Sequence, residues 1–178
     1  MKKLLVVVDY QNDFVDGSLG FERAKEIESN IVNKIQSNIV NKILNYKDEN
    51  QDVVFTLDTH YENYMSTKEG KNLPVPHCLK GQKRTWIIWK SSKGYLLIEK
   101  ETFGSKDLMK YLENNKYDQV ELIGVVTNIC VISNAVIVKA ILPNAEIIVD
   151  AACSASNDLE MESKALDILR NLHIKVIN

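Results

Sequence analysis

Short apolar runs, the first three closed by a charged residue, alternate along the chain with longer stretches in which apolar residues recur every three or four positions. The runs are LLVVVD (4–9), VVFTLD (53–58), YLLIEK (95–100), VELIGVV (120–126), EIIVDA (146–151) and IKVI (174–177). Runs this short and this continuously apolar read as strands buried on both faces. The stretches between them, at about 22–50, 105–115, 128–141 and 158–172, carry the helical period. Strands alternating with helices predict an α/β fold, a three-layer α/β/α arrangement around a mostly parallel, six-stranded, doubly wound sheet. At 178 residues one domain spanning 1–178 is expected, long enough to bury a substantial core.

Two stretches depart from the alternation. In SNIVNKIQSNIVNKIL, residues 29–35 recur at 37–43. A period of eight is too short for a solenoid repeat, and Ile31, Ile35, Ile39 and Ile43, four apart, build one apolar helix face. A local duplication that lengthens the first helix accounts for it. Residues 59–94 have little periodicity yet hold two of the three prolines and two of the three histidines. Irregular segments of this length inside a domain are usually functional.

Composition narrows the function class. The chain is 45% apolar and 26% charged, as soluble globular proteins are, and its formal charge of -2 offers no electrostatic footprint for nucleic acid or a membrane surface. No apolar run approaches the roughly 20 residues that span a bilayer. The start MKKLLVVVDYQNDF runs from a short apolar stretch straight into Asp9, Gln11, Asn12 and Asp13 without a small-residue cleavage site. It reads as a first strand, and a cytoplasmic protein is expected. Cys78, Cys130 and Cys153 are odd in number and widely spaced, so no disulfide framework is implied.

In an open parallel sheet, ligands bind beyond the carboxyl ends of the strands. Asp9, Asp58 and Lys100 each close a strand, and Cys130 follows the fourth, where TNIC opens a helix. A single aspartate at a strand end is ordinarily a cap or turn residue, but these four converge on one edge. A thiol near a helix N-terminus and a lysine is expected to favour its thiolate, as nucleophilic catalysis requires, and a neighbouring carboxylate can carry the proton. Asp58 and His60, two apart on an extended segment, point the same way, and His77 can fold back to join them. One carboxylate and two imidazoles suit zinc, iron or manganese with positions left open.

Taken in order, VVVDYQNDF, LDTHYEN, PVPHC, EKETF and IGVVTNIC resemble the isochorismatase-like cysteine hydrolases, specifically the nicotinamidase branch, over nearly the whole chain. The resemblance implies a catalytic triad of Asp9, Lys100 and Cys130: the cysteine attacks an amide carbon, ammonia leaves, and water hydrolyses the thioester. It also implies a cis peptide at Val125–Val126, with the backbone N–H groups of Val126 and Cys130 forming the oxyanion hole. Asp58, His60 and His77 take the positions of a divalent-metal site, zinc first and iron or manganese otherwise. Phe14 matches the aromatic residue that packs on a substrate ring, and Phe103, also expected at the substrate, takes over part of the job of a lid trimmed in the short segment after Lys100. Nicotinamide is the substrate expected, and relatives of this kind are often dimers or tetramers.

Several positions depart from the branch. Tyr64 stands where a further histidine is usual, Pro74 and Val75 where a tryptophan precedes the histidine–cysteine pair, and Asn128 where an acid is common; the segment after Lys100 is short. These bear on substrate rather than on the triad. Two other readings therefore stand beside the first: a metal-independent hydrolase of an acyclic or ureido amide, and a non-catalytic binding protein on the same fold. Among the remaining polar and aromatic residues, Cys153 reads as a small core residue, Cys78 as a neighbour of a ligand, and His173 as an exposed helix-end residue. Asp13 and Asp16 read as turn caps, and Trp86 and Trp89 as core or subunit-contact residues.

Overall fold

The computed structural model describes residues 1–33, 38–82 and 94–178. Six strands, β1 (Lys3–Val8), β2 (Asp52–Asp58), β3 (Leu96–Lys100), β4 (Gln119–Val125), β5 (Glu146–Ala155) and β6 (Lys175–Ile177), form one sheet in the order β3-β2-β1-β4-β5-β6. All neighbouring pairs are parallel. The order reverses on either side of β1, so the carboxyl ends of β1, β2 and β4 meet at the switch point where such sheets bind ligands.

The strands are apolar throughout because both faces are covered. Along β1, Leu4, Val6 and Val8 point into a core completed by α5 (Lys106–Asn114), α6 (Ile132–Ile141) and α7 (Leu159–Asn171). Leu5 and Val7 point the other way, into a core shared with α1 (Asn12–Val15), α2 (Glu22–Asn33) and α3 (Asn38–Asp48). This is the expected three-layer architecture. The period-two alternation of β1 is invisible in a hydropathy plot because each face meets its own helices.

Three boundaries differ from the pattern-based expectation. The helix expected over 22–50 is described as two segments, α2 and α3, with residues 34–37 outside the described residues. Ile39 and Ile43 are buried as the apolar face requires, whereas Ile35, Trp86 and Trp89 lie outside the described residues. β5 runs four residues beyond 151, because a register shift opposite Leu122 and Gly124 lets Ser154 and Ala155 pair again with the end of β4. At that place Gly124 has φ +118, and a Cβ on it would stand 2.1 Å from the Val8 carbonyl oxygen. Only glycine allows β4 to lie that close to β1 just before the site. The helix expected from 128 opens instead with a π-helical turn, Thr127–Val131, and becomes regular only at Ile132. A short 3-10 turn (Tyr64–Ser66) and α4 (Lys68–Asn72), capped by Thr67, order part of the irregular 59–82 segment. Among the described residues no helix is long and apolar enough to cross a membrane.

One buried charge cluster ties α3 to the sheet. Lys42 reaches Glu121 at 2.7 Å and Asp150 at 3.0 Å, and Asn178 donates to Asp150 at 3.0 Å. Burial alone would raise the Asp150 carboxyl, but Asn178 and Lys42 hold it below its ordinary range. Lys42→Met strands two buried carboxylates and is expected to cost about 2–4 kcal/mol at pH 7 in urea denaturation. A depressed carboxyl contributes fully above its unfolded value and loses that contribution as pH falls, so the wild-type advantage should shrink below about pH 4.

Candidate active site

Asp9 sits one residue past β1, fully buried, with φ 48. The left-handed backbone turns the chain out of the strand and leaves the carboxylate inside. Its Oδ1 accepts from the Thr56 hydroxyl at 2.7 Å, and its Oδ2 lies 2.6 Å from Lys100 Nζ. Lys100, the last residue of β3, also donates to Asp58 Oδ1 at 3.2 Å and to the Thr102 carbonyl at 2.9 Å, and stands 3.6 Å from Cys130 Sγ. Cys130 lies inside the π-helical turn, 6% exposed, with its thiol hydrogen-bonded to Asp9. The Val125–Val126 peptide is cis.

Electrostatics correct one expectation. A lysine beside the thiol was expected to favour the thiolate. Burial and the charge of Asp9 outweigh Lys100 and push the Cys130 thiol well above its ordinary range. Burial likewise raises Asp9 against the pull of Lys100. Burial would lower Lys100, yet Asp9, Cys130 and Asp58 together raise it and keep it charged. Burial and the neighbouring Asp9 thus disfavour the Cys130 thiolate, while Lys100 favours it.

The second group abuts the first. Asp58 Oδ2 is 3.1 Å from His60 Nε2 and 3.3 Å from His77 Nε2. Donors bonded at about 2.1 Å to one ion stand about 3.0–3.4 Å apart between octahedral and tetrahedral angles, so this spacing fits a divalent metal. The three donors all lie within 4.8 Å of one another and are buried. His77 Nδ1 lies 2.8 Å from the Val75 carbonyl, a contact that needs a proton on Nδ1 and leaves Nε2 free as a ligand. Burial alone would raise Asp58, but the two imidazoles and Lys100 hold it well below the carboxylate range, ionised as a ligand must be.

Several departures from the family pattern find a place. Tyr64 is buried, its ring centroid 4.5 Å from that of His60 and 5.0 Å from that of His77, while its hydroxyl donates to the Leu73 carbonyl at 3.0 Å. It walls the imidazole pair and offers no donor there. Asn128 hydrogen-bonds Ser156 through its side chain. Phe14 is buried edge-on to His77 at 5.8 Å. Phe103 is 43% exposed and, with His60, Tyr61, Thr67, Glu69 and Ile129, lines a cleft of about 710 Å³ that opens onto the site.

Three supporting residues escape a reading by strand ends. Gln11 clamps the Asp58 backbone in both directions, accepting from its N–H at 2.8 Å and donating to its carbonyl at 3.0 Å. Asp13 does more than cap a turn: its Oδ2 accepts from the Cys78 N–H at 2.7 Å and so fixes the residue after His77. Thr127 donates to the buried Glu162 at 3.1 Å, which pairs with Arg23. The signal available in sequence was polarity within QND, two to four residues past Asp9, but nothing there names the partners.

Comparison with known proteins follows the same lines. A family model described as the isochorismatase domain matches residues 3–178. A Bacillus subtilis isochorismatase-family protein is 31% identical over 76% of this chain and 78% of its own length. A Saccharomyces cerevisiae nicotinamidase is 26% identical over 99% of both chains. The structure of a Pyrococcus horikoshii pyrazinamidase in complex with zinc superposes with a TM-score of 0.83 at 24% identity, covering 100% of this chain and 99% of the other.

Proposed function

The chain belongs to the isochorismatase family and is an amide hydrolase, and from that premise we propose that it cleaves nicotinamide to nicotinic acid and ammonia through a thioester on Cys130, the whole chain acting as one domain. The observation that carries this reading is the placement of Lys100 Nζ, which contacts Asp9, Asp58 and Cys130 at 2.6, 3.2 and 3.6 Å and so joins the triad to the metal donors.

In the proposed reaction Asp9 takes the Sγ proton as sulfur attacks the carboxamide carbon. The oxyanion that forms is held by the backbone N–H groups of Val126 and Cys130. Asp9 then gives the proton to the departing nitrogen, ammonia leaves, and the C–N bond is replaced by C–S. A water, deprotonated by Asp9, attacks the thioester and regenerates the thiol. Lys100 keeps Asp9 and the transient thiolate compensated throughout. Asp58, His60 and His77 would hold a divalent metal, zinc being the ion bound by the Pyrococcus horikoshii relative. Such an ion supplies a Lewis acid for a ring nitrogen beside the nucleophile. Phe14 and Phe103 are the aromatic walls proposed for the ring.

The test is ammonia release from nicotinamide by protein dialysed against zinc, with metal content measured in parallel. One ion per chain is expected in the wild type. His60→Ala and His77→Ala should each weaken retention by about 10-fold or more, since each removes a direct ligand. Reactive Cys130 with no turnover of nicotinamide would move the proposal to another small amide. Stoichiometric metal retained by both histidine variants would rule out this donor set.

A further inference from the structure

Asn134 lies on α6, one helical turn past Cys130 and fully buried, and the reaction outlined above gives it nothing to do. Both of its amide donors and its oxygen nevertheless bond to the Cys130 turn and the loop after Lys100. Its Nδ2 donates to the Cys130 carbonyl at 2.8 Å and to the Phe103 carbonyl at 3.0 Å, and its Oδ1 accepts from the Ser105 N–H at 2.9 Å. One side chain thus joins the nucleophile's turn to both sides of the residue that follows the cleft wall. The same loop bears the Thr102 carbonyl that accepts from Lys100 at 2.9 Å.

A second contact seats that loop on the same helix. A Cβ at Gly104 would stand 2.7 Å from Ile137 Cδ1, so the backbone there rests directly on the α6 surface. Residues 101–104 have no regular secondary structure of their own, and Ser105 begins the order again by capping α5, its hydroxyl accepting from Leu108 N–H at 3.1 Å. A wall held only by backbone sterics would drift; two hydrogen bonds from a buried amide fix its height above the thiol.

We infer that Asn134 is a positioning residue for specificity: it locks the 101–105 loop to the Cys130 turn and so sets how far Phe103 stands from the nucleophile, which limits the bulk of what reaches Cys130. The inference rests on the proposed cysteine chemistry but not on nicotinamide as substrate. Lys100 keeps two other acceptors, Asp9 and Asp58, so losing the loop's hold disturbs substrate fit more than the chemical step.

Asn134→Leu keeps the volume and removes every hydrogen bond. Asn134→Ser retains a hydroxyl able to reach the carbonyl four residues back but not the loop. The readout is the ratio of labelling rates at Cys130 by a bulky aromatic disulfide, DTNB, and by iodoacetamide, with the label assigned by peptide mass. Taking the ratio cancels changes in thiol acidity, and Cys78 and Cys153 are fully buried. Both variants are expected to raise that ratio by about 10-fold, and to raise KM for the hydrolysed amide by about 10-fold with kcat within about threefold, the size of effect an ångström-scale displacement produces. If the wild type leaves nicotinamide untouched, the substrate reading fails while the labelling ratio still decides the role of Asn134. A ratio within twofold of wild type in folded Asn134→Leu protein, or a wild-type ratio in Asn134→Ser, overturns the inference. So would a wild-type Cys130 that neither reagent labels.

Discussion

Cys130→Ala is expected to abolish ammonia release, lowering kcat on the order of 10⁶-fold, as removal of a nucleophile does in other covalent hydrolases. The expectation follows from geometry rather than from cysteine content. Cys78 and Cys153 are buried, with thiols pushed far up by burial and by nearby carboxylates, whereas Cys130 has Lys100 Nζ at 3.6 Å from its sulfur. Alanine substitution of Cys78 should therefore act on stability and leave the chemical step in place. The measurement is ammonia release with enzyme in excess, which detects even slow turnover. Residual activity within 100-fold of wild type would mean that sulfur does not form the covalent intermediate. Cys130→Ser tests the same step from the other side: a hydroxyl, less easily ionised than the thiol, should fare little better with Asp9 as its base.

Lys100→Met should combine the next largest losses. Activity is expected to fall on the order of 10³-fold, because Asp9 no longer has a compensating charge when it accepts and returns the proton. Stability should fall by about 3–5 kcal/mol in the metal-free protein, the cost of breaking a buried ion pair from one side. Asp58 keeps its two imidazoles, so the stranded group is Asp9, left with the Thr56 hydroxyl and the Cys130 thiol and no compensating charge. The sign with pH follows. Burial already raises Asp9 in the wild type, and without Lys100 it rises further. A carboxyl whose folded value lies above its unfolded one stabilises the fold when protonated and penalises it as pH rises. Urea denaturation should thus show a wider gap between wild type and variant at pH 7.5 than at pH 5. An equal or narrower gap at pH 7.5 would mean that another charge is the stranded one.

The strands were legible in the chain because each is a short, largely apolar run, and the first three present a charged residue at their ends. That pattern survives any detail of packing, since both faces of a parallel sheet are covered. Asp9, Asp58 and Lys100 could be singled out for the same reason: each is charged at the mouth of an apolar run. The irregular stretch around His60 and His77 was legible through composition alone, as two imidazoles and two prolines in a segment lacking a period.

Other features depend on distances that sequence does not carry. Whether Cys130 rests as thiol or thiolate is decided by competition among burial, Asp9 and Lys100, and a motif reading weighs only the lysine. Gln11, Asp13 and Asn134 are ordinary polar residues in sequence, and their roles exist only because Asp58, Cys78 and Phe103 are folded against them. The end of β5 likewise depends on a register shift against β4.

The sequence by itself determined the alternation of strands and helices, the sheet edge that gathers charge, and the residues able to do chemistry there, because hydrophobic periodicity and residue type are local properties. Only the tertiary structure decided that one lysine serves both carboxylates, that burial and Asp9 outweigh Lys100 at the Cys130 thiol, and that a buried amide joins the Cys130 turn to the cleft wall. Those outcomes depend on ångström-scale separations between residues as much as 121 positions apart, from Asp9 to Cys130, and the electrostatic and hydrogen-bond energies that set them exist only once the chain has closed around them.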